Sequence, residues 1–148
     1  MKPYSILLVE DNQMAIELII SAFNDKEIED TVHIVESGQE ALDLLFGKGK
    51  YSDRKEYPLP NIVLLDLKMP GIDGFDVLKK VKNTHVLKRI PIIILSSSRN
   101  DNDIAKCFDL GANSYIRKPI SFGELVDTID RINIYWNKIN IFPAGYQD

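Results

Sequence analysis

The chain has 148 residues, 45% of them hydrophobic, which suits one domain with a sizeable core rather than a disordered segment. Twenty-two acids against 18 bases give a net charge of −4, which argues against general nucleic-acid binding and is too mild for an acidic tail. Cys107 is the only cysteine, so no intramolecular disulfide can form, and a buried thiol in a reducing cytoplasm is the simplest reading. No apolar stretch approaches the ~20 residues of a membrane span, and Met1-Lys2-Pro3-Tyr4 runs straight into a strand, leaving no room for a signal peptide.

Strand and helix patterns alternate five times. Residues 5–9 form a continuous apolar run that ends in Glu10-Asp11. Residues 12–24 carry Met14, Ala15, Leu18, Ile19, Ala22 and Phe23 at helical spacing. Residues 31–35 read as a short second strand, and Ser37-Gly38-Gln39-Glu40 as a capping box before Ala41, Leu42, Leu44 and Leu45. A polar loop with several lysines follows, most simply solvated, and looks like an insertion. Residues 61–65 are a third apolar run, ending in Asp66, and the loop from Met69 to Gly74 leads to a helix at 75–82. Residues 90–95 form the fourth run and stop at Ser96. A helix at 101–110 is ended by Gly111, and residues 114–117 give a fifth strand closed by Lys118-Pro119. Ser121-Phe122-Gly123-Glu124 is a second capping box. It opens a helix whose apolar stripe is Phe122, Leu125, Ile129, Ile132 and Trp136, most of it core. The tail carries Ile141, Phe142, Pro143 and Tyr146.

Unbroken apolar strands suit a parallel sheet covered on both faces, and alternating βα units imply right-handed crossovers. In such sheets ligands sit outside the carboxyl ends of the strands. Glu10, Asp11, Asp66, Ser96 and Lys118 all stand there. Three clustered carboxylates repel, and a hard divalent cation such as Mg²⁺ relieves that repulsion. Taken singly, each acid could be a helix cap or a turn residue; taken with Ser96 and Lys118 they form a site.

With Leu64-Leu65-Asp66-Leu67-Lys68-Met69-Pro70, Asp73-Gly74 and the string from Gly111 to Pro119, this set resembles the receiver domain of two-component response regulators. The resemblance covers about residues 5–132. It implies an α/β fold, a doubly wound five-stranded parallel sheet of flavodoxin-like order 2-1-3-4-5 with helices on both faces. It divides the chain into a receiver domain, 1–133, and a C-terminal extension, 134–148. Asp66 would accept a phosphoryl group from a histidine kinase. Glu10, Asp11, Asp66 and the backbone carbonyl of Lys68 would hold Mg²⁺. Lys118 would contact a phosphoryl oxygen, aimed inward by a cis Lys118–Pro119 bond. Ser96 would donate its hydroxyl, and Tyr115 would turn inward as the partner switch. The family more often has Asp where this chain has Glu10, and Thr where it has Ser96. Lys68 and Ser98 flank the mouth of the site, where they would tune the phosphoryl lifetime.

The resemblance makes the protein a cytoplasmic phosphoacceptor in a phosphorelay, not an enzyme beyond phosphoryl uptake and slow self-dephosphorylation. Its output would be a phosphorylation-dependent protein–protein surface. The long loop before strand three and the Tyr135-Trp136…Pro143 ending are similar to single-domain receivers linked to bacterial phytochrome-type kinases. That implies a homodimer through the helix four–strand five–helix five face and the tail, with no nucleic acid and no membrane. A Mg²⁺ phosphohydrolase would need a second acid where Lys68 stands, and a flavin or dinucleotide carrier a phosphate loop where Glu10-Asp11-Asn12-Gln13 stands. A phosphorylation-independent adaptor would not require the acid set. His33 and His85 lack metal-type spacing, and Met14 and Met69 read as packing residues.

Overall fold

The computed structural model describes residues 4–28 and 31–144. Along the chain run β1 (Ser5–Val9), α1 (Gln13–Asp25), β2 (Thr31–Val35), α2 (Gly38–Phe46), β3 (Ile62–Leu65) and α3 (Gly74–Lys82). β4 (Ile92–Ser96), α4 (Asp101–Asp109), β5 (Ser114–Arg117) and α5 (Phe122–Asn133) follow. The strands pair in parallel in the order β2-β1-β3-β4-β5, as the sequence predicts.

Because side chains alternate along a strand, each apolar run feeds two cores. Leu7, Val9, Val63, Leu65, Ile92 and Ile94 pack against α2, α3 and Cys107 of α4. Ile6, Leu8, Ile62, Leu64, Ile93 and Leu95 pack against α1 and α5. β3 and β4 are wholly buried, whereas β5, at the sheet edge, is half-buried. Cys107 is fully buried, and that burial pushes its thiol up to about 11. No helix among the described residues is long and apolar enough to cross a membrane.

Several expectations shift. β3 starts at Ile62, just after Asn61, whose amide donates to the Ser5 carbonyl and whose side chain accepts from the Ser5 amide, each at 2.8 Å. β4 starts at Ile92, after Pro91, which has no amide to donate. At both predicted capping boxes the serine half forms, Ser37 accepting from the Glu40 amide and Ser121 from the Glu124 amide, each at 3.1 Å. The Glu40 carboxylate goes to the Tyr51 hydroxyl at 3.0 Å. The complete reciprocal box forms at Asp73 and Asp76, opening α3. Met14 is 71% exposed, because it lies on the flank of α1 away from the buried Ile16–Ile19 side. Phe122 is also exposed, in the first turn of α5, whereas Leu125, Ile129 and Ile132 are core.

The inserted segment is more than a solvated loop. Its lysines are exposed, but Arg54 donates to the Leu44 and Leu45 carbonyls at 2.7 and 2.8 Å and so closes the C-terminus of α2. Tyr57 stacks edge-on against Tyr51 and against His33 of β2. After α5 the chain continues as a π-helical stretch, Ile134–Ile139. Phe142 then returns to pack on both cores, its ring 6.2 Å from that of Tyr4. That corrects the expectation of a partner-facing Phe142; Ile139 and Ile141 stay exposed, and Tyr146 lies outside the described residues.

Candidate functional site

β1 and β3 are neighbours in register, and the Asp66 amide donates to the Val9 carbonyl at 3.0 Å, extending the ladder one residue past β3. This sets Asp66 beside Glu10. Both are buried, whereas Asp11 is exposed at the rim. One carboxylate oxygen from each of Glu10, Asp11 and Asp66 lies within 4.8 Å of the others. The Glu10 Oε2 accepts from the Asn12 amide at 3.2 Å, and Asn12 caps α1 by accepting from the Ala15 amide. Gly74 closes the loop beneath the site: a Cβ there would stand 2.4 Å from the Asp66 carbonyl oxygen.

β5 brings the cation. The Lys118 amide donates to the Ser96 carbonyl at 2.9 Å, and its Nζ ion-pairs with Glu10 Oε1 and lies 3.6 Å from Asp66 Oδ2. No cis peptide bond occurs among the described residues, so Lys118–Pro119 is trans, contrary to expectation. Trans is the lower-energy isomer, and the four-carbon lysine arm reaches the acids from it. Burial pushes the Asp66 carboxyl up to about 6; Lys118 opposes that shift and the Glu10 charge adds to it. Three oxygens this close, two of them buried, form a donor set that suits a hard divalent cation.

The acids open into a cleft of about 740 Å³ lined also by Met14, Leu18, Lys68 and Lys118. Ser96 stands apart, fully buried, with its hydroxyl accepting from the Ser98 amide at 3.3 Å. Tyr115 is half-buried and donates its hydroxyl to the Ser98 carbonyl at 2.9 Å, so the two predicted switch residues meet through Ser98. Lys68 lines the mouth, but its ammonium goes to Asp103 of α4 at 3.2 Å and lies over the Phe75 ring. Sequence reasoning missed Asp103. Its position in the first turn of α4 reads as an ordinary helix-start acid.

The chain matches the family described as response regulator receiver domain over residues 6–130. A relative from Methanothrix harundinacea, the probable methanogenesis regulatory protein FilR2, is 37% identical over 142 residues, covering 96% of this chain and 89% of that one. The response regulator Rcp1 of Synechocystis is 32% identical over 143 residues, covering 97% and 95%. The structure of a phosphorylated cyanobacterial phytochrome response regulator, RcpA, superposes with a TM-score of 0.89 at 35% identity, over 97% of this chain and all of that one. Fold, acid cluster and family match agree: this chain belongs to the response regulator receiver domain family, whose members are phosphoacceptor signalling proteins.

Proposed function

We propose that Asp66 is the phosphoacceptor of this chain. The observation that carries this is the buried Asp66 carboxylate within 4.8 Å of the Glu10 and Asp11 oxygens, with the Lys118 ammonium 3.6 Å away. The donor is a phosphohistidine on a partner kinase. An Asp66 oxygen forms a bond to phosphorus while the P–N bond breaks, and the imidazole leaves with the electron pair and takes up a proton. Lys118 moves from Glu10 to a phosphoryl oxygen as a point charge. Ser96 gives up the Ser98 amide and turns its hydroxyl to the phosphoryl group, and Tyr115 follows through Ser98. Glu10, Asp11, Asp66 and the backbone carbonyl of Lys68 would hold Mg²⁺, which supplies charge compensation for the phosphoryl oxygens. A manganese-bound structure of Rcp1 supports divalent metal in this fold.

Met14 and Leu18 are exposed beside the cleft, an apolar rim suited to the helices of a kinase partner. A phytochrome-type kinase is the favoured donor, because RcpA is described as a phytochrome response regulator. In this reading 1–133 is the receiver unit and 134–148 a C-terminal extension of the last helix and tail that serves as a contact segment. Tyr135 and Ile139 are exposed there, and Tyr135 borders Ser114 and Ile116 of β5 and Thr128 of α5; with the α4–β5–α5 face they would make the homodimer surface. Trp136 leans on its own core, so Tyr135→Ala is the cleaner test of dimerisation. Light scattering that finds a monomer at every workable concentration, with and without a phosphoryl mimic, removes the dimer.

The acceptor role is tested by transfer from an autophosphorylated phytochrome-type kinase. Label should leave the kinase and appear on the wild type, not on Asp66→Asn, and chelation should stop it. Transfer to Asp66→Asn at the wild-type rate overturns the assignment.

A further inference from the structure

Ser98 is bonded on every side. Its amide donates to the Ser96 hydroxyl at 3.3 Å, and its carbonyl accepts from Tyr115 at 2.9 Å. Its own hydroxyl accepts from the Asn100 amide at 3.3 Å and donates to Asp103 Oδ2 at 2.7 Å. That same Oδ2 receives the Lys68 ammonium at 3.2 Å. One carboxylate oxygen therefore joins the loop after β3, which carries Asp66, to the loop that follows Ser96 at the end of β4.

The helix that supplies this oxygen is lightly held by apolar packing. Cys107 is the buried residue of α4, and Phe108 is 51% exposed. Its first turn is located by polar bonds instead, Asn100 capping it and Asp103 tying it to Lys68, while Lys106 in its last turn lies 4.3 Å from the centroid of the Phe75 ring.

Resting on the reading of Asp66 as acceptor, we propose that Asp103 is a positioning residue of the phosphoryl site. It pins the Lys68 side chain across the mouth of the cleft and fixes Ser98, and so it lengthens the life of the acyl phosphate. In the step it slows, a water oxygen bonds to phosphorus and the P–O bond to Asp66 breaks. Asp66 leaves with the electron pair as a carboxylate, and inorganic phosphate departs with one proton released to solvent. Without Asp103, Lys68 swings free, the two loops part and water enters.

The test loads the full chain with acetyl phosphate and Mg²⁺, then follows decay of the adduct by intact mass. Asp103→Ala and Lys68→Ala should each shorten the half-life by about fivefold. The double variant should do no more than either alone, because both break one contact. Asp103→Glu should restore most of the lifetime. Asp103→Asn keeps the side-chain volume and an acceptor for Ser98, so it reports the lost Lys68 pair if the alanine variant folds poorly. In the metal-free protein, amide exchange across 98–103 should rise in Asp103→Ala and stay near wild type in Asp103→Asn. Wild-type lifetimes in the Asp103 variants, or effects of Lys68→Ala and Asp103→Ala that multiply, overturn the role of Asp103 while leaving Asp66 as acceptor. No adduct on the wild type overturns both.

Discussion

Asp66→Asn should make the metal-free protein more stable. The substitution keeps the side-chain shape and removes one of three clustered carboxylates. The Asp66 carboxyl is raised from 3.8 to about 6, first by burial. A shift of that size costs the charged form about 3 kcal/mol, which solvent at the open mouth of the cleft reduces to about 1–2 kcal/mol. The sign follows from proton uptake. The folded state holds this proton to higher pH than the unfolded chain, so stability is full below about 3.8 and is lost as pH rises through about 6. Above that, wild type carries the whole cost and the asparagine variant none. Urea unfolding with a chelator at pH 7.5 should therefore find the variant more stable by about 1–2 kcal/mol, with a melting point about 2–6 °C higher. The gap should narrow towards pH 4.5. Millimolar Mg²⁺ should narrow it too, by stabilising wild type more. A variant no more stable than wild type at pH 7.5, or a gap independent of pH, would show that burial of the charged Asp66 costs the fold nothing.

Gly74→Ala should fold with the Asp66 loop displaced, since its Cβ would stand 2.4 Å from the Asp66 carbonyl oxygen; a loss of about 2 kcal/mol or more in unfolding and slower phosphoryl uptake are expected. Arg54→Ala should lose about 1–2 kcal/mol by freeing the Leu44 and Leu45 carbonyls, with phosphoryl uptake unchanged, as chemical denaturation and adduct formation would read. Lys82→Met should cost about 2–3 kcal/mol, because its ammonium donates to the Lys88 and Ile90 carbonyls and the Asn113 side chain, and thermal unfolding measures it.

Local chemistry made the acid cluster legible. An apolar run that ends in acid marks both a strand and its carboxyl end, and the parallel order then brings β1 and β3 together, so Glu10, Asp11 and Asp66 meet as expected. Lys118 met them too, though from a trans peptide. What the sequence hid was decided between segments. Helical spacing gives an apolar stripe but not its rotation, so Met14 reads as a packing residue, yet it and Leu18 stand exposed at the cleft. Lys68 and Ser98 could be placed at the mouth, but their shared partner Asp103 is five residues beyond Ser98 and on another element from Lys68. Glu40 fits a capping box on spacing alone, until Tyr51 folds back from the inserted loop and takes its carboxylate. Arg54 and Lys82 bind backbone carbonyls, which every residue has, so no spacing announces them.

The proposed acceptance of the phosphoryl group by Asp66 depends on the metal-assisted acid cluster around it. Intact-protein mass spectrometry after incubation with acetyl phosphate tests it most directly, comparing wild type with Asp66→Asn, each with Mg²⁺ and with chelator. A single acid-stable, base-labile phosphoryl adduct on wild type, lost on chelation and absent from Asp66→Asn, is the predicted result. An adduct of equal yield on Asp66→Asn, or one that forms without metal, would place the acceptor elsewhere.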